Sequence, residues 1–447
     1  MIWEKFITDP TFTVVETTHY PTESIPFPAV AICDTKMVYG PSTKNITKLL
    51  QLRGFETGHI NEFYRSLTEI KQKGYVVKSN IKKIHNILEN LGYTYNNLIY
   101  MLKKPCEKLI EECLWRSKSY DCSQIFRSVF TFLGYCCQFD LSYFRSLAGE
   151  NINYAAGTDL TEALDIVLNT EKFDNNGINT LGSILMFIFD EQNNITLIDS
   201  AITVTTATYF DVTIDISVMD SSTDVKALSL HNRRCFLKTD TDFKANSFRS
   251  CMMKRVMKKI VELCQCLPFN IKSKELNVEE FPSCKWSHLT CIFENLENMK
   301  GNFHEVVSGD KCYQDCDYVQ YETQVEYLKQ ERAFSENRML SSRVTLHFKD
   351  NSCMKYRREV LYTWDQMLAN LGGIFGLCLG GSIISIVEII WFFTDILYTC
   401  FANFRKGKVS PKSREVENRI FVLSRKNYAA NKTAKKDHIS GKFKFVH

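Results

Sequence analysis

Apolar residues enter this chain in alternation. After a pair of prolines, "IPFPAVAIC" (residues 25–33) has the every-other-residue rhythm of a strand entering a sheet. The period then lengthens. Across residues 44–118, most clearly in "IKKIHNILENLGYTYNNLIYMLKKPCEKLIEECLW", apolar positions recur at i, i+3 and i+4, as in helices packed by one face. The aromatic "VFTFLGYCCQFDL" (129–141) reads as β-rich. "LGSILMFIFDEQ" and "SAITVTTATYFDVTIDISV", rich in β-branched residues between polar turns, predict strands. "FRSCMMKRVMKKIVELCQCLPFN" predicts an amphipathic helix ending in a cysteine-bearing turn. "YETQVEYLKQERAF" predicts a short polar helix, and "SRVTLHF" (342–348) a strand. No internal repeat appears. Strands, helices, then strands again predict an α+β fold.

The strongest apolar run comes last. "LGGIFGLCLGGSIISIVEIIWFFTDILY" (371–398) follows Asp365, and 22 residues without a formal charge separate Asp365 from Glu388. As a helix those residues reach about 33 Å, against about 30 Å for a bilayer core, so the run predicts a membrane span. Two features work against a plain anchor. Five glycines fall in ten positions, and each mid-helix glycine costs roughly 0.5–1 kcal/mol relative to alanine. Glu388 would cost roughly 2.5–3.5 kcal/mol at bilayer depth. The segment needs a reason for both.

Charge orients it. The chain carries +4 in total, but residues 402–447 hold 13 Lys/Arg against three acids, leaving −6 for residues 1–401. "FRKGK" follows the span directly, which predicts a cytoplasmic tail and an extracellular body. That tail lacks the interleaved aromatics and fold of a nucleic-acid binder, so no nucleic-acid partner is expected. Fourteen of the 17 cysteines lie between Cys33 and Cys316, as in an exported, disulfide-bridged domain. "NIT" at Asn45 and Asn194 supplies two glycosylation acceptors on that side. Cys312-x3-Cys316 has no second unit of zinc-site spacing, so no metal is expected. No H-E-x-x-H, P-loop or Rossmann pattern nominates an enzyme or cofactor.

"FPAVAIC" near the start and "GLCLGGSIISIVE" in the span resemble signatures of the degenerin/epithelial sodium channel (amiloride-sensitive sodium channel) superfamily. "GYCCQFD" and "YTWDQMLANLGGIFGL" are most similar to the insect pickpocket group, and the resemblance runs from about residue 27 to 393. It implies a trimer around a sodium-selective, amiloride-blocked pore in the plasma membrane, with other subunits of the family as partners and sodium as permeant ion. It implies two spans, short cytoplasmic ends and a body of palm, β-ball, finger, thumb and knuckle type. Finger-like helices would occupy about 44–125 and the thumb about 235–316. Palm and β-ball strands would occupy about 25–33, 129–218 and 342–350. The extracellular domain would then span 25–365, the second transmembrane segment 366–398 and the basic tail 399–447.

By the same resemblance Gly380, Gly381 and Ser382 form the selectivity filter, where glycine lets the chain leave the helix and present oxygens to a cation. Gly372, Gly373, Gly376, Ser385 and Glu388 join them along the pore. Ala369 falls at the degenerin position at the mouth. Asn370 stands where acid-sensing members carry Asp, so a mouth carboxylate ring is missing, and acid gating is not carried over. The implied disulfides are Cys33–Cys136, Cys113–Cys122, Cys235–Cys316, Cys251–Cys312, Cys264–Cys291 and Cys266–Cys284. Arg255 and Asp310 occupy both positions of one further family bridge. Cys106 and Cys137, left over, are assigned to each other.

Two expectations run against a complete channel. Residues 1–24 hold neither a signal peptide nor a first span, and the His-Gly element that precedes that span in the family is absent. A non-conducting truncated subunit that modulates full-length channels is therefore one alternative. A single-span, cysteine-rich receptor or adhesion protein is the other.

Overall fold

A computed structural model describes residues 10–148, 157–170, 183–190, 195–197, 199–237, 239–240, 248–269, 271–272, 276, 278–302, 312–329, 341–380 and 383–405. The chain divides into two units, Met1–Thr363 and Trp364–His447.

Strand β10, Thr208–Ser221, organises the first unit. Thr208, Phe210, Val212, Ile214 and Ile216 are buried while the residues between them are half-exposed, the alternation of a strand with one face in a core. On one side β10 pairs antiparallel with β13, Tyr318–Lys329. On the other it pairs in parallel with β14, Ser341–Phe348, and then with β15, Ser352–Val360, so these two strands follow one another along it. Beyond β15 lies β1, Thr11–Pro21. Beyond β14 come β7, Leu164–Asn169, and the hairpin of β3, Ile110–Trp115, with β4, Lys118–Tyr120. A second sheet is antiparallel, in the order β5 (Phe126–Thr131), β6 (Gly134–Phe139), β2 (Ala29–Asp34), β8 (Ile184–Phe189), β9 (Ile202–Val204). One core joins the sheets, with Phe27 at its centre against Trp115, Phe139 and Phe348 at ring distances of 5.1, 6.2 and 5.8 Å.

Helices build a second core. α1 (Lys44–Leu52), α2 (Thr57–Glu69), α3 (Ser79–Asn90) and α4 (Tyr95–Leu102) bury residues at helical spacing, such as Ile60, Phe63, Tyr64 and Leu67 on α2. They share that core with α5 (Phe248–Cys264) and α6 (Leu289–Gly301). Trp286 joins the two groups, its indole N–H donating to Tyr93 O at 2.8 Å.

Several elements depart from the sequence reading. Tyr321 to Lys329 is strand β13, not a polar helix, because the sequence alternates and its backbone pairs along β10; residues 330–334 lie outside the described region. Ile110–Trp115 and Lys118–Tyr120 form a hairpin inside the stretch read as helical, and Ile110–Trp115 pairs with β7. β1 occupies residues assigned no structure, and β15 extends past the expected end of the palm strands.

Disulfides tie the layers. Cys33–Cys136 links facing residues of β2 and β6, and Cys106–Cys137 anchors a short helix to β6. Cys113–Cys122 closes the end of β3, and Cys235–Cys316 joins the short strands β11 (Cys235–Phe236) and β12 (Gln314–Asp315). Cys264–Cys291 joins α5 to α6, Cys251–Cys312 ties α5 to the residues just before β12, and Cys266–Cys284 links the stretch after α5 to the stretch before α6. Cys353, Cys378 and Cys400 are free thiols, the first of them buried.

Candidate pore-lining segment

The C-terminal unit is built of two helices where a single run of apolar residues stands in sequence. α7 covers Trp364–Leu379, and α8 covers Ile383–Arg405. The expected segment 366–398 therefore contains a break, and α8 runs on to Arg405. Gly380 makes the break. Its φ of +61° lies in the left-handed region, and its N–H donates to Gly376 O at 3.1 Å. One such bond from a left-handed residue closes a helix, and only glycine takes that conformation without a Cβ penalty. Gly381 and Ser382 lie outside the described residues.

A Cβ added to Gly373, Gly376 or Gly380 would meet no atom within 4 Å among the described residues. Ala369, Asn370, Gly373 and Gly376 are exposed, and Gly372 is half-buried. At about 100° per residue, Ala369, Gly373, Gly376 and Gly380 fall within about 60° of one another. Such a small-residue strip lets another helix backbone approach closely.

α8 carries a second strip. Ser385, Glu388, Asp395 and Thr399 fall within an arc of about 80°, with Ile390, Leu397 and Phe401 on the far side. Ser385 is half-buried and Glu388 exposed. The Thr399 hydroxyl donates to Asp395 O at 2.9 Å. Thr394, on the apolar side, satisfies its own hydroxyl at Trp391 O, 2.8 Å away. Asp395 and Thr399 escaped the sequence reading, which followed the glycines and stopped at Glu388; the seven-residue step from Glu388 to Asp395 carried the signal. Within α8 the window Ile384–Phe401 is long and apolar enough to cross a membrane, and none of it is buried among the described residues.

The body leads into α7 through Leu361, Tyr362 and Thr363. At that end β15 is fastened to β1, with Val360 opposite Thr11 and the Leu361 N–H donating to Pro10 O at 2.7 Å. Lys355 on β15 reaches Glu16 on β1 at 3.1 Å and Asp220 on β10 at 3.5 Å, so one ammonium ties three strands. The Glu16 carboxylate raises the Lys355 pKa. Lys226 lies 2.8 Å from Asp317, which raises its pKa in turn. Asn45 is exposed on α1; Asn194 and the tail beyond Arg405 lie outside the described residues.

A family model described as amiloride-sensitive sodium channel matches residues 1–392. The chain belongs to that family. Among relatives, the sodium channel protein Nach of Drosophila melanogaster is 22% identical over 87% of this chain and 77% of its own length. Pickpocket protein 19 of the same fly is 21% identical over 86% of this chain and 80% of its own. The bile acid-sensitive ion channel of Mus musculus is 20% identical over 89% and 80%. Membership in the amiloride-sensitive sodium channel family makes the chain a sodium-channel subunit and not an enzyme.

Proposed function

We propose that this chain is a pore-forming subunit of a trimeric, non-voltage-gated, amiloride-sensitive sodium channel of the plasma membrane. The disulfide-rich body stands outside, glycosylated at Asn45 and Asn194, and residues 399–447 lie in the cytoplasm. The observation that carries the reading is the break at Gly380. Non-helical backbone at membrane depth is tolerated only where it is buried in protein or faces a water-filled cavity. Three copies of Gly380, Gly381 and Ser382 present carbonyl and hydroxyl oxygens to a dehydrating sodium ion. Below them Ser385, Glu388, Asp395 and Thr399 face the wet lumen, where the carboxylates are solvated and draw cations in. A chemical, osmotic or mechanical stimulus on the body acts through β1 and β15, whose ladder ends three residues before α7. Ala369, one helical turn before the first glycines, stands at the mouth.

The test is Ala369→Phe, expressed with the family subunits needed for a complete channel. A bulky ring there holds the mouth apart, and constitutive sodium current several-fold above wild type is expected at equal surface density. Normal surface expression with no added current contradicts the assignment of Ala369 and of the pore helix that carries it.

A further inference from the structure

A cavity of about 370 Å³ opens between β5 and α5, far along the chain from the pore segment. Its walls are largely apolar: Phe130 from β5, Met253 and Met257 from α5, then Phe269, Ile271 and Leu276. Arg249, Met253 and Met257 stand four residues apart, so one face of α5 lines the space. Methionine side chains adapt their shape to what they contact. The size is that of a small-molecule pocket.

Two of the polar groups in this apolar wall, the Thr196 hydroxyl and the Lys254 ammonium, have no partner among the described residues, while Arg249 pairs with Asp199. Thr196 is 1% exposed, and its hydroxyl finds no hydrogen-bond partner among the described residues. Arg249 Nη1 stands 2.7 Å from Asp199 Oδ1 without an aligned hydrogen bond, and is buried as well. Lys254 is half-buried and has no ion-pair partner among the described residues. Arg249 and Ser250 belong to the first turn of α5, where the helix dipole adds positive potential.

We propose that this cavity binds an amphipathic anion, with a compact apolar body among the phenylalanines and methionines and one carboxylate at Arg249, Lys254 and Thr196. A cation would be repelled, and a neutral apolar molecule would leave the charged and hydroxyl groups unmatched. A highly charged anion such as a nucleotide would meet mostly apolar walls. The bound molecule bridges the five-stranded sheet and the disulfide-braced helices. The proposal is independent of the pore reading, because binding is read without current.

The test uses the full chain in lipid nanodiscs, with 2-naphthoate as probe and 2-naphthamide as its neutral match. Both are titrated by saturation-transfer NMR against protein-free nanodiscs. Saturable naphthoate binding is expected, with the amide at least tenfold weaker. Lys254→Gln should weaken the acid about tenfold and leave the amide unchanged, whereas Met253→Trp should fill the cavity and abolish both. Leu276→Trp, from the opposite wall, replaces Met253→Trp if circular dichroism shows that variant misfolded. Three results overturn the proposal: no saturable naphthoate binding, equal affinity for acid and amide, or binding unmoved by a folded cavity-filling variant.

Discussion

His85 is buried among rings, with centroids 4.7 Å from Trp286 and 5.9 Å from Phe63. Burial lowers its pKa from 6.5 to about 4. The unfolded chain keeps the ordinary value, so between pH 6.5 and about 4 it binds more protons than the folded one. Stability is therefore fully present above pH 6.5 and falls as pH drops through that window, by up to about 3 kcal/mol. His85→Phe keeps the packing and removes the titration. Thermal melts of the full-length protein at pH 7 and pH 4.5 should show a smaller acid-induced drop in Tm for this variant than for wild type. Equal drops would mean that His85 is not the group whose charging loosens the helical core.

At the scale of elements, α7 presents a strip that its own chain leaves open. A Cβ at Gly376 meets no atom within 4 Å among the described residues, so the fold of the subunit should survive Gly376→Leu. Assembly should not, since a leucine on that strip keeps neighbouring backbones apart. Light scattering of the purified channel should show the trimer mass lost, with the melting of the body unchanged; an intact trimer would remove the strip from the subunit interface. The break after α7 was legible through the Gly380-Gly381-Ser382 signature shared with the family, since close-set glycines alone would suit plain helix packing as well. The strands β2, β8 and β10 were legible because their buried faces are apolar. β13 was not. Val319, Tyr321, Thr323, Val325 and Tyr327 do alternate with polar residues, but both faces are largely open, and its register with β10 (Tyr209 opposite Leu328) is set by a partner more than a hundred residues away. β1 and β15 were hidden for the same reason, being held by a backbone ladder and ion pairs and not by an apolar face.

Across the whole molecule, covalent and charge patterns agree with a sodium channel of this family. Cys33–Cys136 and Cys235–Cys316 close separations of 103 and 81 residues, each worth about 4–5 kcal/mol in the chain-entropy account. In the proposed gating a body so braced would transmit a displacement instead of absorbing it, through β15, which ends three residues before α7 in the chain. The balance of −6 in residues 1–401 and +10 beyond supports the proposed orientation, with the body outside and the tail inside. What remains is whether the polar face of α8 meets water. The direct measurement is cysteine accessibility in the open channel, with native Cys378 and Cys400 first replaced by serine. Glu388→Cys and Asp395→Cys should let a charged, water-soluble thiol reagent abolish sodium current, and Ile390→Cys on the far side should not. Block at Ile390 with none at Glu388 and Asp395 would contradict the account.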